Sequence, residues 1–171
     1  MNNVSGSGQL QQIGPGVTSL GTGLSYTGGT LIAAGTLEVS DPSALGSGGL
    51  TLSGGELLAT ATESIGNQLT MSGNFTIAAA HNQTLTFSSA SGWSFTASNN
   101  VITFGAPGQD GTIVWATPIG SSITNGAIYT VLVQAGTLRA ADSSFFDLRK
   151  AISARPSGPP GRSTPPGSAS T

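Results

Sequence analysis

Three glycine pairs, Gly28-Gly29, Gly48-Gly49 and Gly54-Gly55, interrupt the stretch YTGGTLIAAGTLEVSDPSALGSGGLTLSGGEL (residues 26–57), which is otherwise rich in Leu, Ile, Val and Thr. Glycine weakens the interior of a strand but turns a corner without a side chain to clash. Pairs of it beside strand-forming runs therefore mark sharp bends between short strands. The same style continues in LTLSGGELLA (50–59), LTMSGNFTIA (69–78), LTFSSASGWSFTA (85–97), VITFGAPGQDGTIVWA (101–116) and YTVLVQAGTLRA (129–140). Within these units apolar and polar residues alternate: Met71, Phe75 and Ile77 against Ser72, Asn74 and Thr76. Period two with Thr and aromatic enrichment is the signature of a half-buried strand. A longer-range echo pairs AGTLEVSD (34–41) with AGTLRAAD (135–142).

Strand positions Ile32, Leu52, Met71, Phe87 and Phe104 follow one another at steps of 20, 19, 16 and 17 residues. A unit of two strands and a tight corner cannot bury its inner face alone, whereas stacked units can. The spacing thus predicts an all-β solenoid. In it each strand lies parallel to its counterpart one coil away, about 4.8 Å along the axis, so that five or six coils span roughly 24–29 Å. Residues 1–16 are expected to form a flexible lead-in and 17–142 the repeat domain. Residues 143–152 are expected to form a short helix or coil, and the Pro/Gly/Ser-rich segment 153–171 to be disordered. That last segment reads equally as a linker or as a frame-shifted end. TPIGSSITNG (117–126) reads as a loop insertion.

Charge narrows the partners. Only 7% of the 171 residues are charged, and all five basic ones (Arg139, Arg149, Lys150, Arg155, Arg162) fall at or after position 139. Nucleic-acid binding draws on cations paired with phosphates, so residues 1–138 offer no such surface. The same argument excludes anchoring to anionic lipid. Without cysteine there is no disulfide, thiolate metal site or thiol nucleophile. No apolar run reaches the roughly 18 residues needed for a membrane span, so no direct membrane insertion is expected. MNNVSGSGQLQQIG lacks the basic start and apolar stretch of a signal peptide, so an export signal is expected to lie outside this chain.

The 26–57 string resembles the autotransporter-associated β-strand repeat, also called the passenger-associated transport repeat. The matching residues are Tyr26, Thr27, Gly28, Gly29, Thr30, Gly35, Thr36, Leu37, Ala44, Leu45 and Gly46. A second, partial copy at 129–142 lacks the Gly-Gly step. The resemblance implies a right-handed parallel β-helix from the passenger of a bacterial type V secretion protein, at the cell surface or extracellular. It also implies a C-terminal translocator barrel in a full-length parent, and a glycan or protein ligand on a host or surface.

Searched for chemistry, the sequence yields no assigned catalytic, cofactor-binding or metal-binding residue. His81 has no G-x-S-x-G elbow and no acidic residue near it in sequence, and reads as a turn residue near solvent. Glu38, Glu56 and Glu63 fall on neighbouring coils but read as solvated outer-face carboxylates. Glycoside cleavage needs two carboxyls placed across one bond. PGQDGT (107–112) supplies a single Asp to a calcium ion that requires six or more oxygens. Trp93 and Trp115 read as interior fillers, and Asn3, Asn74 and Asn82 each begin an N-x-S/T triplet. The expectation is a non-catalytic structural segment without cofactor. A carbohydrate-binding or carbohydrate-cleaving β-helix stands as the alternative, and a non-functional gene fragment as a third reading.

Overall fold

The computed structural model describes residues 3–89, 93–97, 99–116 and 129–140. Every regular element in them is a strand, and every pairing between these strands is parallel. The chain runs in passes: β1 (Ser5–Gly6), β2 (Leu10–Gln12), β3 (Val17–Leu20); then β4 (Ser25–Tyr26), β5 (Thr30–Ile32), β6 (Thr36–Val39). The next passes are β7 (Leu50–Leu52), β8 (Glu56–Ala59), β9 (Glu63–Ile65), and β10 (Leu69–Met71), β11 (Phe75–Ala79), β12 (Thr84–Phe87). They are followed by β13 (Trp93–Phe95), β14 (Asn100–Phe104), β15 (Thr112–Trp115), and β16 (Tyr129–Val133), β17 (Thr137–Ala140).

Strands one pass apart are neighbours. A first sheet is ordered β13-β10-β7-β5-β2, a second β16-β14-β11-β8-β6-β3, and a third β17-β15-β12-β9, with β1 and β4 forming a separate pair. Alternation along each strand then puts files of side chains inside each sheet. Ile32, Leu52, Met71 and Phe95 are in register in the first sheet. Leu37, Leu57, Ile77 and Phe104 are in register in the second, and Ile65, Phe87 and Trp115 in the third. All of these residues belong to one buried hydrophobic cluster, each full burial contributing roughly 1.5–3 kcal/mol. Trp93 and Trp115 stack inside it with ring centroids 3.3 Å apart, and Phe87 lies 5.1 Å from Trp115.

Strand ends are tied down by hydroxyls. Ser53, Thr60, Ser88 and Thr96 each follow a strand, and each N–H donates to the carbonyl ending the strand one pass earlier (Ile32, Val39, Ile65, Met71). Each side-chain hydroxyl donates to the same oxygen, at 3.1–3.4 Å. Small polar residues at these positions thus saturate carbonyls where regular pairing stops.

Glycine occupies corners where successive passes nearly touch. Gly29 has φ +85°, and a Cβ there would lie 2.6 Å from the Gly49 carbonyl oxygen. A Cβ on Gly48 would lie 2.3 Å from the Gly29 nitrogen. The carbonyls of Gly29 and Gly49 accept from Leu10 and Thr30, one pass below each, so the backbone ladder continues round the bend.

Several expectations change. A full pass holds three strands rather than two. Ile32, Leu52 and Met71 do share one file, but Phe87 lies in the third sheet and Phe104 in the second, the true successor to Met71 being Phe95. The two AGTL copies also lie on different sheets, β6 in the second and β17 in the third. Period two records which side of a sheet a residue faces, not which sheet it is in. The corner between the second and third sheets, Thr60–Thr62, carries no glycine pair to reveal it. Pairing also reaches back into the segment 1–16, where β1 and β2 pair with β4 and β5 and where Val4 and Leu10 pack against the core. The expectations for 117–126, 143–152 and 153–171 lie outside the described residues.

Candidate functional site

The residues of the 26–57 string converge on one buried node. After β6 the chain makes a compact turn. Asp41 Oδ1 accepts from the Ser43 N–H at 2.8 Å, and the Asp41 carbonyl accepts from the Ala44 N–H at 3.0 Å. The bonds from Ser43 hold the Asp41 carboxyl below the usual carboxylate range. Tyr26, buried at the end of β4, lies against this turn. Its hydroxyl sits 2.6 Å from Thr30 Oγ1 and 3.1 Å from the Ala44 carbonyl, while Thr30 Oγ1 lies 3.2 Å from the Leu45 carbonyl. Two hydroxyl protons are shared over these three contacts. Burial raises the Tyr26 pKa, partly offset by the Thr30 bond. A Cβ on Gly46 would lie 2.3 Å from the Tyr26 carbonyl oxygen. Only glycine fits there.

From the next pass, Asn67 covers the turn. Its Nδ2 donates to the carbonyls of Gly46 at 3.0 Å and Gly48 at 2.6 Å. Tyr26→Phe removes a buried donor and leaves the Ala44 carbonyl short of a partner. The expected loss is about 1–2 kcal/mol of stability, read from urea melts of the variant against the parent chain.

Glu63 is the exception to the outer-face reading. It begins the inner file Glu63–Leu85–Ile113–Leu138 of the third sheet. Glu63 is only 6% exposed, and neither of its carboxyl oxygens has a hydrogen-bond partner. Burial, then the charge of Asp41, pushes its pKa from 4.5 to about 7. Sequence reasoning missed this because carboxylates default to solvent. Yet Glu63 is two residues before Ile65, in phase with the buried side.

The other glutamates lie elsewhere. Glu38 accepts from Ser19 Oγ at 2.5 Å, and Glu56 from Thr36 Oγ1 at 3.0 Å, each from the pass below. Thus two of the three carboxylates belong to the second sheet's hydroxyl ladders and the third to the core. His81 does sit in an exposed turn, beside Asn82 at φ +61°, but it has an acidic partner. Its Nδ1 is 2.7 Å from Asp110 Oδ1, and that bond holds the Asp110 carboxyl low. Asp110 is 29 residues away in sequence, so only the stacking of passes reveals the pair. The pair lies at the surface, with both side chains about half exposed or more.

Trp93 and Trp115 are both buried. Asn74 acts structurally, its Oδ1 accepting the Val101 N–H at 2.7 Å. Asn3, like Asn82, adopts a left-handed backbone. Among the described residues no group of three or more His, Cys, Asp or Glu side chains is placed to hold a metal. No helix among them is long and apolar enough to cross a membrane. Comparison with family models, curated proteins and solved structures finds no match.

Proposed function

We propose that this chain is a right-handed parallel β-helix of about five to six coils. On this reading it serves as a non-catalytic structural segment of an autotransporter-like bacterial surface or secreted passenger, a spacer or stalk that also aids secretion and adhesion. The carrying observation is the unbroken parallel register of six strands in the second sheet, fed by a chain that from β7 to β15 visits the first, second and third sheets in rotation. Parallel strands joined by crossovers within one sheet are right-handed in about 98% of cases, which supports the handedness. The Tyr26–Thr30–Ala44–Gly46 node supports the family reading, because the residues that carry the resemblance are the ones that lock one coil to the next.

A fold of this kind suits vectorial export. Each arriving coil adds its strands to an edge already formed, so burial and backbone bonding accumulate in chain order. A translocator barrel in a longer parent, delivery to the cell surface and a glycan or protein ligand belong to the same reading.

The test places the full chain between an epitope tag and an outer-membrane translocator barrel in a Gram-negative host. The tag is expected at the surface on a protease-resistant segment, and Gly35→Val is expected to reduce its delivery severalfold. Equal delivery by both chains would contradict a folding role in export. Polysaccharide turnover by the parent chain that disappears on replacing Glu38, Glu56 and Glu63 together with Gln would favour the carbohydrate-active alternative.

A further inference from the structure

The outer column of the second sheet runs Val17, Thr36, Glu56, Thr76, Thr103, Leu132 in continuous register. Its four inner members are polar. Its two ends are apolar and open, Val17 at 64% exposure and Leu132 at 48%. The adjoining inner column runs Thr18, Leu37, Leu57, Ile77, Phe104, Val133, and its upper end is also open, Val133 being 48% exposed. With Ile13, these are the exposed large hydrophobic residues among the described ones, and all lie in the first or last pass.

Among the described residues, no strand pairs with the outer edge of β3 or of β16, the two end strands of the sheet. Strand edges are commonly guarded by Lys, Pro or an inward charge. β3 (VTSL) and β16 (YTVLV) carry none of these. Because all pairing is parallel, the free edge of β16 and the free edge of β3 are opposite edges of one sheet. One therefore offers the backbone groups that the other lacks.

We propose that a second copy of this chain stacks on the first, head to tail, with its β3 adding in parallel register to β16. Leu132 then meets Val17, and Val133 meets the methyl of Thr18, continuing both columns across the junction. The match of both ends within one column favours a second copy as the occupant over an unrelated partner. The contact is heterologous: each added copy exposes a new β16, and assembly continues as an open chain rather than closing as a dimer. This inference uses strand pairing alone and not the export role, so either can fail without the other.

Sedimentation velocity of the full-length chain over a concentration series tests it. The expected result is a ladder of species growing past the dimer. Val17→Glu and Leu132→Lys each place an unpaired charge in the junction, and each should raise the concentration needed for assembly by about tenfold or more. The Val17→Glu/Leu132→Lys double variant sets opposite charges face to face and should recover most of that loss. Circular dichroism of each variant verifies that the fold is retained, since both positions are solvent-exposed. A monomer at every concentration, a closed dimer, or a double variant no better than the worse single one would overturn the proposal.

Discussion

Gly35→Ala is expected to cost about 3–5 kcal/mol, at the upper end for a single substitution, although it adds one methyl group to a surface corner. Gly35 has φ +66°, and its Cβ would lie 2.3 Å from the carbonyl oxygens of both Gly14 and Gly16 on the preceding pass. Three other glycines separate the two causes. Gly108 has φ +81° with nothing within 4 Å of its Cβ, so Gly108→Ala tests backbone strain alone, about 1–2 kcal/mol. Gly48 lacks a positive φ but would meet the Gly29 nitrogen at 2.3 Å, so Gly48→Ala tests the close approach of passes. Gly66 has neither burden, and Gly66→Ala should be neutral or stabilising by about 0.4–1 kcal/mol through the unfolded chain. Thermal or urea melts of the four variants should rank Gly35 worst, then Gly48, Gly108 and Gly66. Equal effects at Gly48 and Gly66 would mean that the passes do not approach as described.

Glu63→Leu is expected to stabilise the protein by about 3 kcal/mol at pH 8 and by much less at pH 4.5. The folded-state pKa of about 7 lies above the ordinary 4.5, so between those values the native state holds a proton that the unfolded chain releases. Stability linked to Glu63 is thus fully present below about pH 4.5 and is lost as pH rises through about 7. A shift of this size corresponds to about 3 kcal/mol. Asp41 and Asp110 act in the opposite sense. Their folded-state pKa values are lowered, so their contribution is present above the ordinary Asp value and disappears as pH falls through the folded one. The parent chain should therefore be most stable in mildly acid solution. In Glu63→Leu the decline toward pH 8 should vanish, because a leucine continues the file of Leu85 and Ile113 without charge. Urea melts at pH 4.5, 6 and 8 read this directly, and parallel pH profiles for the two chains would contradict the burial of Glu63.

The class of fold was legible because alternation and corner glycines are local signals. Leu52 to Met71 could be counted along the chain, since glycine or a Ser-Gly step punctuates that pass. The number of strands per pass was not legible. LTF at 85–87 and LTM at 69–71 look alike, yet they lie on different sheets, because the intervening bend is made by Ala80–Gln83 without a glycine pair. The His81–Asp110 contact was hidden for a related reason. It depends on which corner stacks over which, and the extra residues 105–111 shift the count between passes. Glu63 was visible only by following the phase of Ile65 backward, against the expectation that a lone carboxylate seeks water.

The central claim is that successive passes lie over one another in the stated register, and cysteine pairs test it most directly in a chain that has no cysteine of its own. Thr70 and Ser94 face each other across β10 and β13, their hydroxyls 3.3 Å apart. Thr70→Cys with Ser94→Cys should oxidise readily to an intramolecular disulfide, since directly paired positions fall within the usual Cα range of 4.4–6.8 Å. Thr70→Cys with Thr86→Cys, the pairing that a two-strand pass would place together, should remain reduced. Rapid closure of the second pair, with the first left open, would contradict the three-strand pass on which the rest depends.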